Sequence, residues 1–164
     1  MFGEKIRRVE DPALLRGKGR YLDDIHLPGM LHASFVRAPV AHAVIASIDS
    51  TAARSIDGVV AVYTLDDLRS HLTDTVMPVE QASGALRLSA SPSTLADGEV
   101  RYVGEPVACV IAETAYIAED AAQLVFVEYS DLPVSTNYLA ALDKDAPTAH
   151  SDFDDNIVAG FTLA

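Results

Sequence analysis

The run Val107-Ala108-Cys109-Val110-Ile111-Ala112 places six apolar residues in a row, between the bend Gly104-Glu105-Pro106 and the polar pair Glu113-Thr114. A strand alternates its side chains between two faces, so an uninterrupted apolar run calls for cover on both sides. That rules out an open one-sided hairpin and asks for a layered domain with this strand inside it. The chain can supply one. Its 164 residues suit a single domain, alone or with an arm, and 49% of them are apolar.

Around this strand the sequence reads as two strand–helix–strand units. The first has strand patterns over Leu31 to Arg37 and His42 to Asp49, separated at Pro39. A short helix through Ala52, Ala53 and Ile56 follows, capped by Asp49 or Ser50 and ended by Asp57-Gly58 before the strand Val59 to Tyr63. Thr64 and Asp67 stand at capping-box spacing ahead of Leu65, Leu68 and Leu72 on one helical face. The second unit starts a strand at Val100 to Val103, bends at Gly104-Glu105-Pro106 and enters the apolar run. Thr114 then caps a helix whose Ile117, Ala118, Ala121 and Ala122 form an apolar stripe continued by Leu124 and Val125. Val125, Val127 and Tyr129 alternate along the closing strand, which Asp131-Leu132-Pro133 ends. Between the units, Asp74 to Gly98 is rich in Ser, Ala and Pro and reads as a long surface excursion, with Leu86 and Leu88 marking a short hairpin strand. After Pro133 the composition loosens into a linker or strap.

Charge divides the chain. Residues 1–20 hold six of the twelve Lys and Arg against three acids, a net +3, and the remainder carries −15. A body this acidic repels phosphate backbones, so no nucleic-acid partner is expected, and the short basic segment is expected to dock on an acidic protein surface. Every hydrophobic stretch is interrupted well short of the roughly 20 residues a membrane span needs. Arg7-Arg8 is followed by Glu10 and Asp11 rather than an apolar stretch, so no export signal is read. One cysteine, Cys109, excludes an internal disulfide and fits a reducing compartment.

The familiar catalytic patterns fail one by one. No two of His26, His32, His42, His71 and His150 are four residues apart, so no helical metal pair is formed, and no metal site is expected. Gly17-Lys18-Gly19 lacks the further residues of a phosphate loop, and no Gly-x-Ser-x-Gly elbow exists. Cys109 sits among Val107, Ala108, Val110 and Ile111, which makes it an inert core thiol. His42 reads as a structural histidine bonded to backbone. Glu105, in a constrained bend, is suited to accept backbone N–H bonds or a partner's arginine. The residues alone lead to a soluble α+β domain, with a piece of something larger as one open reading.

A resemblance goes further. Arg8-Val9-Glu10-Asp11-Pro12, Leu15-Arg16-Gly17-Lys18-Gly19-Arg20-Tyr21-Leu22-Asp23-Asp24 and Phe35-Val36-Arg37-Ala38-Pro39-Val40-Ala41-His42-Ala43 follow one another. Then come Gly58-Val59-Val60-Ala61-Val62, Val103-Gly104-Glu105-Pro106-Val107-Ala108, Ala121-Ala122 with Val127-Glu128-Tyr129, and Leu132-Pro133. In that order, over roughly residues 5–160, they resemble the start of the large subunit of the molybdenum hydroxylases, the group of xanthine dehydrogenase, aldehyde oxidase and the carbon monoxide dehydrogenase large chain. Ile56-Asp57-Gly58 departs from it, since the family often has proline before the glycine.

The resemblance implies an α/β-hammerhead domain of α+β class, a mixed sheet built from two strand–helix–strand units with the excursion between them. It divides the chain into a basic docking arm (1–20), the hammerhead (21–136) and a strap (137–164) leading toward a cofactor-binding domain. The final apolar residues, Ile157 to Ala164, read as an interrupted segment. A structural and assembly role in an oxidoreductase large subunit is implied, in the cytoplasm. No catalytic, cofactor-binding or metal residue falls in this stretch. Molybdopterin belongs to the parent subunit, and iron–sulfur and FAD groups to partner domains or subunits. Two contact bends are expected, Arg37, Pro39 and His42 in one and Gly104, Glu105 and Pro106 in the other. Two other readings stay open: a self-contained ferredoxin-like module that binds a ligand or acts as an adaptor, and a small acid–base enzyme using His42 and Glu105.

Overall fold

The computed structural model describes Gly3, residues 8–77 and residues 90–160. The expected hairpin strand at Leu86 and Leu88 lies outside the described residues. Two compact units emerge, Met1–Met30 and Leu31–Ala164.

The first unit is built from single turns and, among its described residues, has no buried side chain. Helix α1 (Asp11–Leu14) carries Pro12 in its first turn, where a missing N–H is harmless, and Arg16 Nε donates to the Pro12 carbonyl at 2.6 Å. Gly17 takes a positive φ of 63° just after it. A 3-10 turn at Leu22–Asp24 is closed by the Tyr21 N–H donating to the Asp24 carboxylate at 2.9 Å.

The second unit carries six strands: β1 (His32–Arg37), β2 (Ala43–Asp49), β3 (Val59–Thr64), β4 (Glu99–Val100), β5 (Pro106–Ala112) and β6 (Phe126–Asp131). Three helices join them: α2 (Thr51–Arg54), α3 (Leu65–Leu68) and α4 (Ala115–Ala122). The α+β class and the strand–helix–strand rhythm hold, but the sheet arrangement differs in detail. The strands form two antiparallel sheets, β1-β5-β3 and β4-β2-β6, rather than one mixed sheet. Each helix crossover carries the chain from one sheet to the other, β2 to β3 through α2 and β5 to β6 through α4. Strands joined within one strand–helix–strand motif are therefore never neighbours, and each sheet is paired between the two motifs.

Local signals act as read. The Asp49 carboxylate accepts from the Thr51 N–H at 2.9 Å, and the Thr114 hydroxyl accepts from the Ile117 N–H at 3.2 Å at the start of α4. The Asp67 carboxylate accepts from both the N–H and the hydroxyl of Thr64, at 2.8 and 2.9 Å. Gly58 is called for by its φ of +86°, and a Cβ there would also displace the flexible Cδ1 tip of Ile117, 2.8 Å away. The helix carrying Leu65 and Leu68 stops after one turn and continues as a 3-10 turn over Arg69–His71, leaving Leu72 extended.

Two core clusters sit between these elements. One joins Ala53, Val62, Val110, Ala121 and Val125, where the small alanines of α2 and α4 reach β3 and β5. The other joins Ala38, Ala43, Ala96, Val100 and Val107, with Ile45, Ile48, Val127 and Tyr129 packed on it from β2 and β6. The end of the supposed surface excursion is thus not at the surface: Leu95 is 1% exposed, Ala96 belongs to the core, and the Ala96 N–H donates to the Pro106 carbonyl at 2.8 Å.

Candidate functional site

The polar groups of interest gather where β2 begins and β4 and β6 end. His42 and Glu99 are both buried, and His42 Nε2 lies 2.7 Å from Glu99 Oε1. His42 Nδ1 lies 2.8 Å from the Pro133 carbonyl oxygen. A carbonyl and a carboxylate both accept, so the two bonds are made together when the ring carries a hydrogen on each nitrogen. Glu99 has further partners. The Ser151 hydroxyl donates to its Oε2, the Ser151 N–H donates to its Oε1 at 3.3 Å, and the Arg101 Nε stands 3.7 Å away. Burial works against the charge of Glu99, but the bonds from Ser151 and His42 and the nearby Arg101 outweigh it and hold the carboxyl below the usual glutamate range. Burial and the Arg101 cation push the imidazole of His150 below its ordinary range, against the opposing pull of Asp152 and Glu99. His150 also stacks on Phe153, ring centres 4.6 Å apart.

This polar knot ties down the strap. Asn156 does the rest within it, donating to the Ala141 and Pro147 carbonyls at 3.0 and 2.9 Å and accepting from the Ala149 N–H at 2.8 Å. The segment read as a linker or strap is held by these bonds, and its Ser151 reaches into the domain.

The two expected bends come together. The Arg37 guanidinium donates to the Gly104 carbonyl at 2.9 Å, the Gly104 N–H to the Ala38 carbonyl at 2.8 Å, and the Ala38 N–H to the Glu105 carbonyl at 2.9 Å. Glu105 is buried, and its carboxylate accepts from the Arg101 N–H. That bond closes a turn over 101–104, which is why the strand expected through Val103 ends at Val100. Arg37 and Pro39 are exposed, Gly104 and Pro106 half-buried, and His42 buried. Arg37 and Pro39 line a shallow cleft of about 520 Å³ with Phe35, Glu119, Gln123 and Tyr129. His42 and Glu105, the pair of the acid–base reading, are given separate partners.

Sequence reasoning missed Glu99, Arg101 and Ser151. Glu99 left a signal, a carboxylate next to a core valine, which demands a buried partner; nothing in the sequence marked Ser151, some 50 residues on. Cys109, expected in the core, is only half-buried, and burial pushes its thiol up.

Among the described residues, no three His, Cys, Asp or Glu side chains converge as metal ligands. The carboxylates nearest to such a role, Glu99 and Glu105, already accept bonds from within the chain.

A family profile described as aldehyde oxidase and xanthine dehydrogenase, a/b hammerhead domain, matches residues 16–133. The chain belongs to this family. It is 40% identical over 159 residues to the carbon monoxide dehydrogenase large chain of Afipia carboxidovorans, covering 95% of this chain and 18% of that one. With the xanthine dehydrogenase molybdenum-binding subunit of Escherichia coli O157:H7 it shares 38% identity over 149 residues, 88% of this chain and 19% of that subunit. The crystal structure of quinoline 2-oxidoreductase from Pseudomonas putida 86 superposes with a TM-score of 0.81 at 42% identity, over 94% of this chain and 19% of that one. The hammerhead relatives are oxidoreductases, and the chain spans less than one-fifth of the length of these three. Among the described residues, no helix is long and apolar enough to cross a membrane.

Proposed function

We propose that this hammerhead is the structural and assembly domain of a molybdenum hydroxylase large subunit and performs no chemistry itself. One observation carries the reading: among the described residues, the buried side chains able to exchange protons, His42, Glu99 and Glu105, have their bonding spent inside the chain, while Arg37 and Pro39 face outward at the joined bends. The zipped Arg37–Gly104 and Ala38–Glu105 contacts make those bends one rigid contact surface, with Pro106 and His42 setting its shape from beneath. Residues 1–20 act as a docking arm, 21–136 as the hammerhead and 137–164 as the strap toward the cofactor-binding domain. In that assembly molybdopterin is held by other domains of the large subunit, iron–sulfur and FAD groups by partner subunits, and the whole is cytoplasmic. The oxidised substrate is selected outside these residues.

The test is made in the assembled enzyme. Arg37→Glu, which reverses an exposed charge, is expected to weaken association between the large subunit and its partners while molybdenum content stays normal. Unchanged association, or loss of molybdenum with association intact, would overturn the reading.

A further inference from the structure

The run that opens the sequence demands cover on both faces of β5, and this unit provides it fully on one. The inward residues Ala108, Val110 and Ala112 are completely buried, with α4 packed over β1 and β5. On the outward face Val107 is also buried, beside Ala96. Further along that face the cover stops. Cross-strand register lines up Phe35, Cys109 and Tyr63 in one row and Ala33, Ile111 and Ala61 in the next. Phe35 and Tyr63 are 45% and 40% exposed, and Cys109 and Ile111 are half-buried. Neither row holds a charged side chain, whereas an antiparallel sheet facing water ordinarily alternates to polar on that side. Arg37 sits at the margin, 5.6 Å from the Phe35 ring centre.

We infer that this outward face of β1-β5-β3 is the seat of polypeptide from the remainder of the same large subunit. The inference rests on the proposed function and names the surface by which the domain is held. Size and charge choose the occupant. Three strands about 4.8 Å apart and some 13 Å of strand length give a face on the order of 200 Å², far below the roughly 800 Å² per partner of a stable bimolecular interface. A second free copy gains too little there, and two chains of charge −12 repel each other. A tethered partner needs far less area, because linkage holds it at an effective concentration on the order of millimolar. In the relatives more than four-fifths of the subunit lies beyond the matched stretch and can supply it.

Cys109 is the reporter. In the intact large subunit, alkylation of Cys109 by a maleimide, read by peptide mass spectrometry, is expected to run at least about tenfold slower than in Ile111→Lys, whose charge cannot stay under an apolar cover. Tyr63→Lys, on the edge strand and less exposed to misfolding, is expected to speed alkylation likewise while circular dichroism stays that of the parent. Equal, rapid alkylation in the parent subunit and both variants overturns the inference. So does protection that vanishes when large subunits dilute to monomers, which would make a second copy the occupant. Molybdenum content of the same samples separates the two claims: a subunit rich in molybdenum with Cys109 freely reactive defeats the docking face alone, and one that never takes up molybdenum defeats the proposed function.

Discussion

The two sheets have three strands each and the same antiparallel pairing, yet they meet their surroundings differently. Across the outward side of β4-β2-β6 each paired row of β2 and β6 contains a polar group: Val44 opposite Ser130, Ser47 opposite Glu128 with a 3.2 Å hydrogen bond, and Asp49 opposite Phe126. The outward rows of β1-β5-β3 through Ala33 and Phe35 are apolar apart from the thiol of Cys109 and the phenol of Tyr63, with Arg37 as the charged residue at the end of β1. At its end the first of these sheets is fastened by the His42–Glu99–Ser151 knot; the second is held by hydrocarbon. A sheet finished for water carries its own polar fasteners, and one awaiting a neighbour leaves hydrocarbon uncovered.

Breaking the knot has the largest expected effect. Glu99→Ala strands His42 and Arg101 without their carboxylate and is expected to lower unfolding free energy by about 3 kcal/mol, read by urea titration. Hydrogen exchange in that variant should speed first in β2, β4 and the strap. Equal acceleration in β1 and β3 would erase the distinction between the sheets. Next comes Val110→Ala beneath the apolar sheet, expected to cost about 2 kcal/mol through lost burial and the cavity left. Thr114→Ala removes the cap of α4, the helix under that sheet, and is expected to cost about 1 kcal/mol.

The smallest effect is the first stage of an acid titration. His150 titrates lower in the fold than its ordinary value of 6.5, so the unfolded chain binds more protons in that window and stability declines as pH falls through it. The groups facing His150 are Arg101, Asp152, Glu99 and His42. Below the ordinary glutamate value of 4.5 the depressed Glu99 adds a further loss. Thermal unfolding followed from pH 7.5 to 4 checks this: a midpoint that rises on acidification would contradict the assignment.

Much of this was legible because it is local. The six-residue run, the Thr114 and Asp67 caps, Gly58 and the Val127–Tyr129 alternation depend on neighbours a few positions away. The split into two sheets was not legible, because crossovers through helices as short as α2 fix no partner, and pairing was settled by distant contacts such as Phe35 with Cys109. The candidate site divides likewise. His42 showed itself as a backbone-bonded histidine, and its bond to Pro133 is that. Its second partner, Glu99, and the strap's Ser151 meet only in three dimensions. The two bends were visible as bends, while the fact that Arg37 and Ala38 zip onto Gly104 and Glu105 was not. Glu105 is buried with its carboxylate accepting from the Arg101 N–H, a bond across the turn that no pattern in the sequence announced.

Radical footprinting of the intact large subunit asks the central question in one sample, by comparing side-chain oxidation of Phe35 and Tyr63 on one sheet with that of Phe126 on the other. Shielding of Phe35 and Tyr63 beyond their exposure in the hammerhead alone, with Phe126 oxidised as its 67% exposure dictates, is the predicted result. Phe35 and Tyr63 oxidised as readily as Phe126 would contradict it.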